Sequence, residues 1–272
     1  MKRIILAIFI ITALNTGNSY SADKIAPFDN SNIDMLLMKA AVQGDIAAMQ
    51  KLLKSSANPN YQGTNGVPIL GAVYKSRSTN MLEVVELLAH AGADVNSKIY
   101  VIPTVFSLVE NPNCNPKILD VLFKYGLNAN DSDPIDENST LEASVAYGGN
   151  RACISSLIQH GASVNHTDYA GSNPLIRSVY RKDINIVRLL LQNGAKPNMS
   201  DKFGNTALMV SAHFKLTDIA SILLHYGANP CFRNELGETA SDIAANVGDG
   251  KLAELLSCHK IQKSPNLNRA HQ

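Results

Sequence analysis

A six-residue string recurs along the chain: AGADVN (91–96), YGLNAN (125–130), HGASVN (160–165), NGAKPN (193–198) and YGANPC (226–231). Its glycines, Gly92, Gly126, Gly161, Gly194 and Gly227, are spaced 34, 35, 33 and 33 residues apart. A degenerate earlier copy, SSANPN (55–60), has no glycine. Self-similarity at such a period is the mark of a repeat architecture. One unit cannot bury its own apolar face, so neighbouring units must stack to do it. The period therefore predicts an elongated stack rather than a fold around one central core.

Each glycine follows an apolar stretch with helical spacing, such as MLEVVELLAH (81–90), NIVRLLLQN (185–193) and DIASILLHY (218–226). A glycine there ends a helix, because it takes the left-handed conformation without a Cβ penalty. Upstream lies a shorter helical stretch: PILGAVY (68–74), NPLIRSVY (173–180), TALMVSA (206–212) or TASDIAA (239–245). Pro68, Pro103 and Pro174 stand where such a helix would start and a missing N–H costs nothing. Thr206 and Thr239 stand just before the start, where a hydroxyl caps free amides. Each unit thus reads as helix, short turn, helix, glycine stop and extended loop. The apolar fraction, 45%, is enough to fill such a stack, and the formal charge of +1 gives no basic stripe for nucleic acid.

This pattern resembles the ankyrin repeat, whose units run roughly G-x-T-P-L-H-x-A-A, a turn, then x-x-V-V-x-L-L-L-x-x-G-A-D-V-N. The matching strings are GADVN (92–96), EVVELL (83–88), IVRLLL (186–191) and GNTALMVSA (204–212), with GETASDIAA (237–245) as a closing unit. The resemblance implies an all-α solenoid of about seven helix-turn-helix units with short finger loops, spanning residues 30–260. The first unit (35–56) and the last, with its turn NVGDGK (246–251), would be caps. The histidine of the T-P-L-H motif is missing throughout. Met38, Leu70, Val105, Glu142, Ile176, Met209 and Asp242 stand in its place. Hydrogen bonds between units should be lost there and partly replaced by apolar packing. Two inter-helix turns are long, YKSRSTNM (74–81) and ENPNCNP (110–116).

The ends read differently. Lys2 and Arg3 precede an apolar run from Ile4 to Leu14, followed by a small polar stretch. That is the layout of a secretory signal peptide, and the run is too short to span a bilayer. We expect residues 1–21 to be a signal peptide, with Ser19, Ser21 and Ala22 as alternative cleavage points. Residues 22–29 would be a linker and 261–272 a flexible tail. Removal of residues 1–21 would take two cations, Lys2 and Arg3, and no acid, moving the charge from +1 to −1. The expected destination is the periplasm, with full secretion as the alternative.

Four cysteines follow: Cys114, Cys153, Cys231 and Cys258. An even number in an exported chain permits disulfides. Cys114 falls in the third unit's turn and Cys153 in the fourth unit's second helix, at a register filled elsewhere by Ile118, Ile186 and Ile219. Cys231 and Cys258 lie at the C-terminal end. The expected pairs are Cys114–Cys153 and Cys231–Cys258, with four free thiols as the competing reading.

No H-E-x-x-H, phosphate-binding loop, G-x-S-x-G or C-x-x-C occurs. His90, His160 and His225 precede repeat glycines, where a ring nitrogen can meet the last carbonyls of a helix. His166 lies beside Asp168 in a loop and reads as a local hydrogen bond. Asp218 and Asp249 stand near second-helix starts and read as caps rather than catalytic acids. The run NDSDPIDENS (130–139) lacks the spacing of a calcium loop and reads as a solvated acidic finger. We therefore expect no enzyme, cofactor or metal site.

The resemblance implies a monomer that binds another protein, with no nucleic-acid partner and no membrane insertion after signal removal. Ankyrin-repeat proteins generally bind through finger tips and first-helix ends on the concave face. The matching positions are Tyr74, Tyr147, Tyr180, Arg181, His213 and Phe214 at helix ends, and Tyr169, Lys202, Phe203, Glu235 and Leu236 at finger tips. Two narrower roles stand as alternatives: an immunity-type inhibitor of an exported toxin, or an effector delivered to a host cell.

Overall fold

The computed structural model describes residues 32–63, 70, 73, 80–99 and 102–258. The expected signal peptide, linker and tail, and most of the turn at 74–81, lie outside the described residues. The helices come in pairs: α1 (Ile33–Gln43) and α2 (Ile46–Lys54); α3 (Met81–His90), preceded by helical Leu70 and Val73; α4 (Phe106–Val109) and α5 (Pro116–Lys124). Then follow α6 (Thr140–Tyr147) and α7 (Arg151–Gln159); α8 (Pro174–Tyr180) and α9 (Ile184–Gln192); α10 (Ala207–His213) and α11 (Thr217–His225); α12 (Ala240–Asn246) and α13 (Gly250–Leu255). This is the expected all-α stack of seven units.

First helices form one layer, α4, α6, α8, α10 and α12 packing in order, and second helices form the other, from α2 through α11. The core runs between the layers. In α9, Ile186, Val187, Leu190 and Leu191 are buried while Asn185 and Arg188 face water, the spacing of an amphipathic helix. The turns behave as their chemistry dictates. Gly92, Gly126, Gly161, Gly194 and Gly227 all have φ between 86° and 91°. In the degenerate first copy Ser56 takes that place, at φ 68°. Thr206 accepts from the Met209 amide, and Ser139 and Glu142 form a reciprocal cap at the start of α6. Asp249 caps α13, while Asp218 lies in the first turn of α11 without capping it.

Pro174 opens α8 as expected, but Pro103 does not open a helix. It ends β2 (Ile102–Pro103), which pairs antiparallel with β1 (Lys98–Ile99), and α4 starts only at Phe106. The third unit's first helix is correspondingly short, at four residues.

The asparagine that closes each repeated string ties its unit to the next. Asn60, Asn96, Asn130, Asn165 and Asn198 each donate from Nδ2 to the carbonyl of the following repeat glycine, at 2.9–3.1 Å. Each also accepts, through Oδ1, the amide two residues beyond that glycine, at 2.6–2.8 Å. The resulting ladder ties the turn after each second helix to the preceding unit. In the last string the register is filled by Cys231, which faces the end of the seventh unit. Cys231 is bonded instead to Cys258, 27 residues on, with Cα atoms 5.1 Å apart.

The second bridge joins Cys114 to Cys153, with Cα atoms 6.3 Å apart. Both sulfurs are buried, so Cys153 keeps the core position of its register while closing the bridge. Asn150 also donates to the Pro112 and Cys114 carbonyls, at 3.1 and 2.7 Å. The long turn of the third unit is thus stapled to the fourth.

Candidate functional site

Successive finger loops in units four to seven are shaped by one device. Asp133, Asp168, Asp201 and Asn234 each open a loop, and each side chain accepts the amide two residues ahead. Asp168, Asp201 and Asn234 accept a second amide, four residues ahead. The tips then join laterally. Tyr169 N donates to Asp136 O, Lys202 N to Ala170 O and Glu235 N to Phe203 O, at 3.0–3.1 Å. A Cβ on Gly171 would lie 2.9 Å from the Lys202 amide nitrogen, and φ there is +70°. Glycine is therefore required both by the turn and by the closeness of the next loop.

This zipped ridge carries one large apolar side chain per tip: Ile135, Tyr169, Phe203 and Leu236, exposed by 46, 75, 57 and 83%. A second row lies at the first-helix ends: Tyr147 and Tyr180, 47 and 51% exposed, and Phe214. Phe214 was expected to face solvent like the others. It is half-buried against the core, with its ring edge-on to Tyr180 at 5.8 Å.

Two hollows flank Tyr180, each of about 340 Å³. The first is lined by Tyr180, Arg181, Phe203, Asp168, Arg177 and Asp201. The second is lined by Tyr180, Met209, Phe214, Leu236, Ile243 and Val247, with His213 and the polar Asn205, Asn234, Glu238 and Asn246. Of the residues expected from sequence, Tyr180, Arg181, Phe203, His213, Phe214 and Leu236 are brought together here. Lys202 lies over the rings of Tyr169 and Phe203, at 5.7 and 5.3 Å, and stiffens the ridge beside the first hollow. Tyr147 and Glu235 lie on the two rows but line neither hollow. Tyr74 lies outside the described residues.

Beneath the groove the structure departs from expectation. Glu142 holds the position of the missing motif histidine and is fully buried, not replaced by apolar packing. Its Oε2 accepts the Ser139 amide at 2.9 Å and faces His166 Nδ1, from the next unit's loop, at 2.7 Å. Burial pushes the Glu142 carboxyl above its ordinary value, against the lowering effect of the Ser139 amide and His166. His166 is thus paired with Glu142 rather than with Asp168. Asp168 instead holds Arg177, which also donates to Asn138 at 2.8 Å. The acidic run at 130–139 is likewise not simply solvated: Asp133 and Asn138 are buried and Asp131 pairs with Lys98 at 3.2 Å.

At the other replaced positions Leu70, Val105, Ile176 and Met209 are buried, as apolar packing requires. Asp242 caps α12, and the Thr239 amide and hydroxyl hold its carboxyl below the ordinary range. Burial, followed by the nearby Asp201 charge, raises the Tyr180 hydroxyl above its ordinary value. Among the described residues no group of three or more His, Cys, Asp or Glu is placed to hold a metal ion.

Family models described as "Ankyrin repeats (many copies)" and "Ankyrin repeats (3 copies)" match residues 157–208 and 185–268. Residues 157–268 thus match ankyrin-repeat models, and the fold is that of an ankyrin repeat domain. The fold is also that of the crystallised ankyrin repeat domain of Bcl-3, a member of the IkappaB protein family. The TM-score is 0.71 at 22% identity, over 80% of this chain and 97% of that one. The human ASB11 ankyrin repeat domain is similar, with a TM-score of 0.66 at 23% identity, over 81% of this chain and 97% of that one. A human curated relative, Ankyrin repeat and SOCS box protein 6, is 26% identical over 176 residues, or 65% of this chain. The chain spans only 32% of that relative's length. Ankyrin repeats are protein-interaction modules. Among the described residues no helix is long and apolar enough to cross a membrane.

Proposed function

We propose that this ankyrin-repeat protein is a non-enzymatic binder of another protein, acting in the periplasm or outside the cell, with the groove of units four to seven as its binding face. The observation that carries the reading is the pairing of two apolar rows around the hollows beside Tyr180. Among the described residues, six of the nine exposed large apolar side chains, Ile135, Tyr147, Tyr169, Tyr180, Phe203 and Leu236, belong to these rows. Isolated exposed apolar residues are ordinary, but a contiguous set is the signature of an interaction surface. Tyr, Phe and Arg concentrate in such surfaces and supply most of the contact energy.

The N-terminal layout and the two bridged cysteine pairs support the exported compartment, since disulfides persist in oxidising surroundings. A photo-crosslinking amino acid at Phe203 tests the groove. It should yield a discrete crosslinked adduct in cells, whereas the same group at exposed Arg188, on the second-helix layer, should not. Equal adducts from both sites would remove the groove from the account. Fractionation, with the mass of the recovered chain, tests the compartment: a cytoplasmic chain retaining residues 1–21 would contradict it.

A further inference from the structure

Charge divides the groove unevenly. The turns after α8 and α10 place Arg181, Lys182 and Lys215 in a run at the helix-end side, all exposed. Among the described residues none of the three lies within ion-pair distance of a carboxylate of this chain. Lys182 stands over the Phe214 ring at 5.1 Å, and the Arg181 guanidinium donates to the Ala146 carbonyl at 3.5 Å.

The acids nearby are hydrogen-bonded within the fingers, and Asp168 alone among them is paired with a cation. Asp168 holds Arg177 and two loop amides, Asp201 accepts the Phe203 and Asn205 amides, and Glu238 holds Asn234 and Asn246. The exposed acid at the last fingertip, Glu235, is on the other row. A partner lying between the rows therefore meets unpaired cations along one side and apolar rings along both.

The hollows set the partner's shape. Each, at about 340 Å³, has room for a large side chain, and Tyr180 stands between them. The second offers Met209, Phe214, Leu236, Ile243 and Val247 to an apolar side chain and has Glu238 in its wall, while the first has Arg181. Resting on the groove reading above, we infer that the occupant is an extended segment of a partner protein. It carries two large apolar side chains, one for each hollow, and acidic residues beside the first of them that pair with Arg181 and Lys182. Apolar anchors would supply contact energy, while the charges would fix register and speed encounter.

The test pans a phage-displayed random dodecapeptide library on the purified chain with its disulfides intact. Recovered peptides are synthesised with a fluorescein label and titrated by polarisation. Peptides carrying Asp or Glu next to Phe, Leu, Ile, Met or Tyr are expected. Their binding should weaken by about tenfold or more in Arg181→Glu/Lys182→Glu and should fall as salt is raised. Thermal unfolding checks that the variant is folded, and Arg181→Gln/Lys182→Gln provides a milder pair with a smaller loss.

Recovered peptides without acids, or affinities indifferent to both variant pairs, would overturn the inference. Failure to recover any peptide would also overturn it, because an extended segment would then not be the occupant. The groove reading fails separately, through loss of the site-specific crosslink at Phe203.

Discussion

Removing one rung of the asparagine ladder tests whether stacking is held by more than apolar burial. Asn165 is half-buried and makes two bonds across the interface, to the Gly194 carbonyl at 3.0 Å and from the Lys196 amide at 2.8 Å. A hydrogen bond of this kind contributes about 0.5–1.5 kcal/mol net. Asn165→Ala loses both, so the expected cost is about 1–3 kcal/mol. Water can reach the freed groups, which favours the lower part of that range.

For a chain of this size the change corresponds to roughly 2–4 °C in Tm per kcal/mol. Asn165→Asp refines the test. The acceptor for Lys196 remains, but a carboxylate oxygen then faces the Gly194 carbonyl, so no gain over alanine is expected from the donor side. Urea unfolding followed by circular dichroism, with disulfides intact, gives the free energies. Midpoint shifts should occur without a change in slope, which would otherwise report a change in the surface exposed on unfolding. A change within about 0.5 kcal/mol for Asn165→Ala, the ordinary range for a surface substitution, would refute the reasoning.

Other consequences follow from the same structure. Leu190 is fully buried in α9, so Leu190→Ala should destabilise by about 2–5 kcal/mol in the same assay without altering the groove surface. Replacing Cys231 and Cys258 with serine opens a bridge spanning 27 residues, and chain entropy puts the loss at about 3–4 kcal/mol. Limited proteolysis should then cut first in the last unit. Glu142→Gln should change the pH dependence of stability. The folded protein raises the Glu142 carboxyl above its ordinary 4.5, so its contribution is full below that value and is lost as pH rises through the folded pKa. Unfolding free energies of wild type and Glu142→Gln should therefore converge or cross with rising pH; parallel curves would contradict the assignment.

The solenoid was legible because its signals are local. A glycine such as Gly161 enforces a helix stop by its own backbone freedom, and the pattern of Ile186, Val187, Leu190 and Leu191 announces a buried stripe within one helix turn after another. Both cysteine pairings could be read once the repeat register was known. The Asn165 rung was visible as a letter but not as a bond, because its partners are 29 and 31 residues away.

The Glu142–His166 contact was hidden for a related reason. It links a helix start to the following unit's loop, 24 residues on, and nothing local distinguishes His166 facing Asp168 from His166 facing Glu142. Ile135 was missed on the ridge, although its position 34 residues before Tyr169 repeats the spacing from Tyr169 to Phe203. Phe214 was placed on the right row, but its half-burial depends on packing against Tyr180 and the core, which no single unit encodes.

The binding claim is tested most directly by affinity capture of the chain from its native envelope fraction after brief crosslinking, with captured proteins identified by mass spectrometry. Tyr180→Ala/Phe203→Ala is the control, because Phe203 is exposed where Phe214 is not, and the variant should unfold at nearly the same temperature as wild type. The account predicts one dominant partner, recovered with wild type and lost with the variant. A partner retained equally by both proteins would contradict it, because binding would then lie away from the groove.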